Sequence, residues 1–261
     1  MSHKLYDDGK HKCVAFTDLV TGEGIQANQF LIVHQGEGML LDPGGNLTYK
    51  DLLAGMAEYF LPAHLDYVFA SHEDPDIVAS ANGWLLITDA KILIAQEWVR
   101  FLPHFCSRGA TEGRLIAIPP EGMWVELGGA PLALIPAHYL HAVGNFQVYD
   151  PQSKILFSGD VGANLVSGAE AAQAIDSPAA FAEHRGRAGM EGFHRRYMGG
   201  NKACRLWAEM IRSLDVEWIV PQHGASFRGK DTVAAFLDWF VALDCGLDLL
   251  NPQDYRIPLQ K

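Results

Sequence analysis

Tyr67-Val68-Phe69-Ala70-Ser71-His72-Glu73-Asp74-Pro75-Asp76-Ile77 runs from a short apolar strand into a loop carrying one imidazole and two carboxylates at alternating positions. Alternate side chains of an extended segment share a side. His72, Asp74 and Asp76 are therefore expected to converge while Glu73 points away, with Pro75 stiffening the loop by fixing φ. Taken alone, the segment reads equally well as a solvated acidic turn. Three further groups stand just past apolar, strand-like runs: His141, Asp160 and His223, at successive spacings of 69, 19 and 63 residues from His72. Imidazoles and carboxylates delivered to strand ends hold lone pairs in fixed places at little entropic cost, which a two-metal site requires. Each has an ordinary reading too. His141 fits a packed core or surface histidine, Asp160 a cap for the chain that follows, and His223 a loop residue beside Gly224, whose backbone permits close approach. His138 is a weaker candidate. The other histidines (His3, His11, His34, His64, His104, His184 and His194) have no comparable context and read as ordinary.

Outward from this motif, strands are expected at 13–16, 29–33, 38–41 and 91–95, then at 114–118, 124–127, 132–135, 146–149, 155–157 and 217–220. Leu52, Leu53, Met56, Tyr59 and Phe60 recur at helical spacing and are closed by Pro62. Leu206, Trp207, Met210, Ile211 and Leu214 mark a second helix with a core-facing stripe, and Val233, Phe236, Leu237 and Phe240 a third. A short helix is expected around 97–102. Residues 161–200 are polar, glycine-rich and without clear period, which suggests a helical, partly mobile lid or insertion. This mixed α/β (α+β) order suits two sheets face to face with helices outside, a four-layer αββα sandwich forming a single domain over 1–261. No G-x-G-x-x-G follows a strand, and neither a Walker A sequence nor a G-x-S-x-G elbow is present.

A hydrophobic content of 49% supplies a continuous core, and a net charge of −11 argues against nucleic acid or an anionic membrane surface as partner. Cys13, Cys106, Cys204 and Cys245 lie far apart, as free thiols of a reducing compartment do. The N-terminus lacks the apolar core of a secretory signal. No apolar run reaches the roughly 18 residues of a membrane span. A cytoplasmic protein is expected.

Taken together, the Asp42-Pro43-Gly44 turn, the His72 loop, Leu140-His141, Leu156-Phe157-Ser158-Gly159-Asp160 and Pro221-Gln222-His223-Gly224 resemble the metallo-β-lactamase superfamily. Within it, they resemble the di-iron domain of flavodiiron proteins. The superfamily's hydrolases show H-x-H-x-D-H and flavodiiron proteins H-x-E-x-D-H, whereas this chain shows H-x-D-x-D-I. A carboxylate at Asp74 sides with the di-iron branch. Carried over, the resemblance implies that His72, Asp74 and His141 bind one metal, that Asp76 and His223 bind the other, and that Asp160 bridges. Ile77 cannot coordinate, so the second metal has one imidazole fewer.

The chain ends at residue 261 without a flavodoxin or rubredoxin-like segment, so the resemblance is to stand-alone oxygen-binding di-iron proteins. It implies two iron ions (zinc or manganese being able to use the same donors), no flavin, and dioxygen or another diatomic gas as ligand. It also implies a separate electron-donor or signalling protein, and a homodimer is a weaker expectation. As an enzyme, the chain would be a di-iron oxidoreductase reducing oxygen or nitric oxide. The alternative is a metal-dependent hydrolase of an ester, thioester or phosphodiester, in which a metal-activated water attacks. A third reading is a scaffold with a degenerate site. Tyr197 is a candidate pocket residue, since a phenol can donate to a bound ligand; a plain surface aromatic is its other reading.

Overall fold

A computed structural model describes residues 1–187 and 189–258. Its first sheet runs in sequence order: β1 (Ser2–Asp7), β2 (His11–Phe16), β3 (Gln29–His34), β4 (Glu37–Leu41), β5 (Tyr67–Phe69), β6 (Lys91–Ala95) and β7 (Leu115–Ile118). Pairing is antiparallel from β1 to β4 and parallel from β4 to β7. The second sheet comprises β8 (Met123–Leu127), β9 (Ala130–Pro136), β10 (Phe146–Asp150), β11 (Ile155–Phe157), β12 (Ala174–Ile175), β13 (Trp218–Val220) and β14 (Ser226–Arg228). Its spatial order is β12-β14-β13-β11-β10-β9-β8.

Three apolar cores make the four expected layers. Alternation along the strands sends Phe30, Ile32, Leu93, Leu132, Val148 and Phe157 between the sheets, where the Phe30 and Phe157 rings stand 5.1 Å apart. The outer face of the first sheet is covered by α1 (Tyr49–Met56), α2 (Pro75–Val78) and α3 (Ala81–Ile87), through Leu52, Met56, Ile77 and Trp84. The second sheet is covered by α5 (Pro178–Arg187), α7 (Asn201–Arg212) and α8 (Lys230–Val241), with α4 (Gly168–Ala171) and α6 (Met190–Tyr197) alongside. Phe236 stacks on Phe227 and Phe240 at the centre of that core. No helix among the described residues is long and apolar enough to cross a membrane.

Several expectations need correction. α1 ends at Met56, not Phe60, because Tyr59 and Phe60 both turn back to donate to the Met56 carbonyl. No α-helix forms at 97–102; turns lead into a 3-10 segment at Leu102–Phe105, with Pro103 at its start. On α7 the buried stripe is Cys204, Trp207, Ala208 and Ile211, while Leu206 is 60% exposed. The 161–200 stretch does contain the helices α4, α5 and α6; residue 188 lies outside the described residues.

Candidate metal centre

All six sequence-predicted residues meet at one end of the sandwich, on the connections that leave β5, β9, β11 and β13. His72 follows β5 and is fully buried. Its Nδ1–H donates to Ser71 Oγ at 3.0 Å, which leaves the Nε2 lone pair facing the cluster without a hydrogen-bond partner. Asp74 is the N-cap of α2, with Pro75 at its first turn. Asp76 therefore arrives on a helical turn rather than by the extended alternation expected from the sequence. The same turn buries Ile77 completely in the core beneath, away from the cavity.

His141 sits at φ +75°, a left-handed conformation held by its surroundings. Asn145 Nδ2 donates to the Leu140 carbonyl at 2.5 Å, and the Tyr139 N–H donates to Ala142 O at 2.9 Å. His141 Nε2 lies 2.9 Å from Asp74 Oδ2 and 3.7 Å from Asp160 Oδ2, and among the described residues its Nδ1 has no hydrogen-bond partner. His72 Nε2 is 3.6 Å from the same Asp74 oxygen. On the other side His223 Nε2 is 3.3 Å from Asp76 Oδ2 and 3.6 Å from Asp160 Oδ1. Its Nδ1–H donates to the Gln26 carbonyl at 2.7 Å, which again turns the Nε2 lone pair inward. Gly224 follows at φ +86°, where an added Cβ would collide with the Asn164 carbonyl. Asp160 thus presents one oxygen to each group of donors.

These separations fit a bound cation. Donors held at bonds of roughly 2.0–2.2 Å stand roughly 2.9–3.6 Å apart around a metal. Among the described residues, His72 Nε2 and Asp160 Oδ1 are buried polar atoms with no hydrogen-bond partner, and a cation satisfies both. Metal-free, the cluster holds protons instead. Burial works against a charged His72 ring, but Asp74, Asp160 and Asp42 outweigh it and push His72 up to about 9. Burial likewise opposes charge on His223, and Asp160 and Asp76 outweigh it, again to about 9. The His141 hydrogen bond, with the His72 ring beside it, holds Asp74 far below the usual carboxylate range. Burial pushes Asp76 up, yet His223 outweighs this and leaves it lowered.

Asp74, Asp76, His141, Asp160 and His223 open onto a cavity of about 610 Å³ whose walls include Ile25, Leu47, Leu165, Phe193 and Tyr197. Among the described residues, no lysine or arginine lines it. Tyr197 lies at the rim, 52% exposed, with its ring 5.4 Å from that of His141. His138 is elsewhere, its Nε2–H donating to the Pro120 carbonyl at 2.7 Å. A larger groove of about 710 Å³ beside α7 holds none of the six.

Sequence reasoning missed the supporting residues. Asp42, at φ +51°, accepts from the Ser71 N–H at 2.8 Å and so fixes the start of the His72 loop; burial pushes its carboxyl up to about 6. Its turn is anchored in turn by Ser80 Oγ and Trp84 Nε1, which donate to the Pro43 carbonyl at 2.8 and 3.3 Å. The Asp-Pro-Gly turn was legible; its hydrogen bond to the loop 29 residues later was not. Gln222 Nε2, donating to Asp76 Oδ2 at 3.4 Å, was likewise unseen.

Comparison with known proteins follows the same geometry. The family model described as ODP family beta lactamase matches residues 25–224. A solved structure described as the apo state of the chemotaxis sensor ODP from T. denticola is 37% identical, with a TM-score of 0.83, covering 95% of this chain and 97% of that one. Another, described as a peroxy diiron species of chemotaxis sensor ODP, is 36% identical with a TM-score of 0.82 and the same coverage. Rubredoxin oxygen:oxidoreductase from Desulfovibrio gigas, 18% identical with a TM-score of 0.76 over 92% of this chain and 61% of its own, shares the fold. An uncharacterised protein of Methanocaldococcus jannaschii is 23% identical over 221 residues, and the chain spans 54% of its length. The family match over 25–224, together with end-to-end similarity to the ODP structures, shows that the chain belongs to the ODP family of beta-lactamase-type proteins.

Proposed function

We propose that this chain is a non-haem di-iron protein that binds dioxygen and reports it to a separate protein. In this reading His72, Asp74 and His141 hold one iron, Asp76 and His223 the other, and Asp160 spans both. The observation that carries it is the placement of Asp160, with Oδ2 toward His141 and Oδ1 toward His223. Oxygen and imidazole donors suit iron or manganese. When bound, a pair of ferrous ions supplies coordination positions and electrons for a diatomic gas. The chain's own contribution is to fix the tautomers of His72 and His223, to supply three carboxylates against the cationic charge, and to surround the opening with apolar walls. The similarity to chemotaxis sensor ODP structures supports a sensing role over turnover. Asp74, standing where the superfamily's hydrolases carry an imidazole, favours this reading over hydrolysis. Loading the chain with iron under anaerobic conditions and then admitting air should produce new near-ultraviolet or visible absorption; an unchanged spectrum contradicts oxygen binding.

Metal affinity should rise with pH. A ligating imidazole must be neutral, and His72 and His223 without metal keep their protons up to about pH 9. Each proton displaced makes the affinity of its metal roughly tenfold higher per pH unit between pH 7 and 9, with a plateau above. Competition titrations against a chromophoric chelator would measure this, and a flat profile would contradict the protonated cluster.

Tyr197→Phe tests whether the phenol donates to the bound gas. One lost hydrogen bond, about 0.5–1.5 kcal/mol, corresponds to a roughly 2- to 12-fold shorter lifetime of the oxygenated form in stopped-flow decay. An unchanged lifetime makes Tyr197 a rim residue only.

A further inference from the structure

A second set of metal-grade donors lies at the far end of the sandwich. β10 begins at Phe146, whose N–H donates to the Ser71 carbonyl beside the six-residue cluster, and ends four residues on at Asp150. There Asp150, from the second sheet, meets His11 and Cys13 from the first. All three are completely buried. His11 and Cys13 are alternate residues of β2 and so share the face toward the second sheet. His11 Nε2 is 2.9 Å from Asp150 Oδ2, and Cys13 Sγ is 3.6 Å from the former and 3.5 Å from the latter.

Those distances describe one triangular face of a small coordination polyhedron. Bonds of roughly 2.3 Å to sulfur and 2.0–2.2 Å to nitrogen and oxygen, at tetrahedral angles, set neighbouring donors roughly 3.3–3.7 Å apart. Two of the three edges already comply, and the third needs to open by a few tenths of an ångström. The surroundings are also those of a metal site. His11 Nδ1 stands 3.1 Å from His34 Nδ1, and His34 Nε2 in turn lies 3.0 Å from the side-chain amide of Gln35, so the His11 ring has a partner for its second nitrogen. Asp150 Oδ1 accepts from the Gln152 N–H at 3.0 Å, and Oδ2 from the Ser153 N–H at 3.3 Å. Among the described residues, His11 is the one ion-pair partner of this buried carboxylate, and no lysine or arginine reaches it. A carboxylate taken wholly out of water is costly without a compensating charge.

We infer that His11 Nε2, Cys13 Sγ and Asp150 Oδ2 bind a divalent cation of the zinc class, independent of the six-residue cluster. Ser153 Oγ, hydrogen-bonded to Asp150 Oδ2 and 3.7 Å from Cys13 Sγ, supplies the fourth position directly or through a water. A thiolate–imidazole–carboxylate set is the chemistry of zinc rather than of magnesium or calcium. Binding breaks the Cys13 S–H bond and forms a metal–sulfur bond, and the proton leaves to solvent. The His11 proton comes to rest on Nδ1, where His34 Nδ1 accepts it, the His34 proton sitting on Nε2 with the Gln35 amide turned to present its oxygen. Burial and Asp150 otherwise push the thiol well up, and the double positive charge reverses that. Because its ligands come from both sheets, the ion staples the end of the sandwich remote from the oxygen-binding centre.

Cobalt(II) added to the metal-stripped full chain tests this, since a thiolate ligand to cobalt gives an intense near-ultraviolet charge-transfer band. The six-residue cluster contains no sulfur and cannot produce it. The expected result is one equivalent with a thiolate band that survives in His72→Ala/His223→Ala and disappears in Cys13→Ser. Zinc should also raise the midpoint of thermal unfolding of that double variant. No thiolate band in the wild-type chain overturns the inference whatever the variants do, and so does a band that persists in Cys13→Ser.

Discussion

Asp160→Ala is expected to lose both metals together. Its two oxygens stand 3.7 Å from His141 Nε2 and 3.6 Å from His223 Nε2, so each half of the centre shares it. Changing residues that merely support metal ligands typically costs 10- to 100-fold in affinity; removing a shared ligand should cost at least about 100-fold at each position. Without the Asp160 charge the buried His72 and His223 rings should give up protons more readily, and the metal-free fold should tolerate the change because, among the described residues, Asp160 Oδ1 has no hydrogen-bond partner to abandon. Metal analysis after iron loading, with circular dichroism as the fold control, reads the result. Loss of one metal with the other kept at wild-type affinity would show that Asp160 does not bridge.

Trp84→Ala should give the largest loss of stability and carry over into the centre. Trp84 is fully buried between α3 and the first sheet, edge-on to Tyr49 at 5.2 Å, and its Nε1–H donates to the Pro43 carbonyl. Truncating a buried aromatic costs about 3–5 kcal/mol. In a domain of this size that lowers the thermal midpoint by roughly 6–20 °C. Pro43 follows Asp42, which holds the Ser71 N–H at the start of the His72 loop. A loosened turn should therefore weaken metal binding as well. Wild-type affinity in the folded Trp84→Ala chain would mean that the turn holds its place without the indole.

How far such links can be read from sequence differs by kind. The six cluster residues were legible because each follows a short apolar strand, and parallel or neighbouring strands deliver their ends to one place. The four layers were legible from the order of strands and helices. What escaped depends on partners distant in the chain. β1 is a polar edge strand that, among the described residues, pairs with β2 alone, and β14 is three residues long. Neither has enough apolar alternation to announce itself. Asp76 was placed on an extended loop, although Pro75 at the first turn of α2 starts a helix there. The α7 stripe was drawn through Leu206, when Cys204 and Ala208 are the small residues that let the helix approach the sheet. His11 and His34 read as ordinary because the carboxylate that gives them meaning lies 139 residues from His11.

Crystals of the chain loaded with iron in the absence of air offer the most direct test, through anomalous scattering at the iron edge. Two iron peaks are predicted: one among His72, Asp74 and His141, the other between Asp76 and His223, with Asp160 between them. Full iron loading in solution with no peak at these six side chains, or with iron bound elsewhere, would contradict the account.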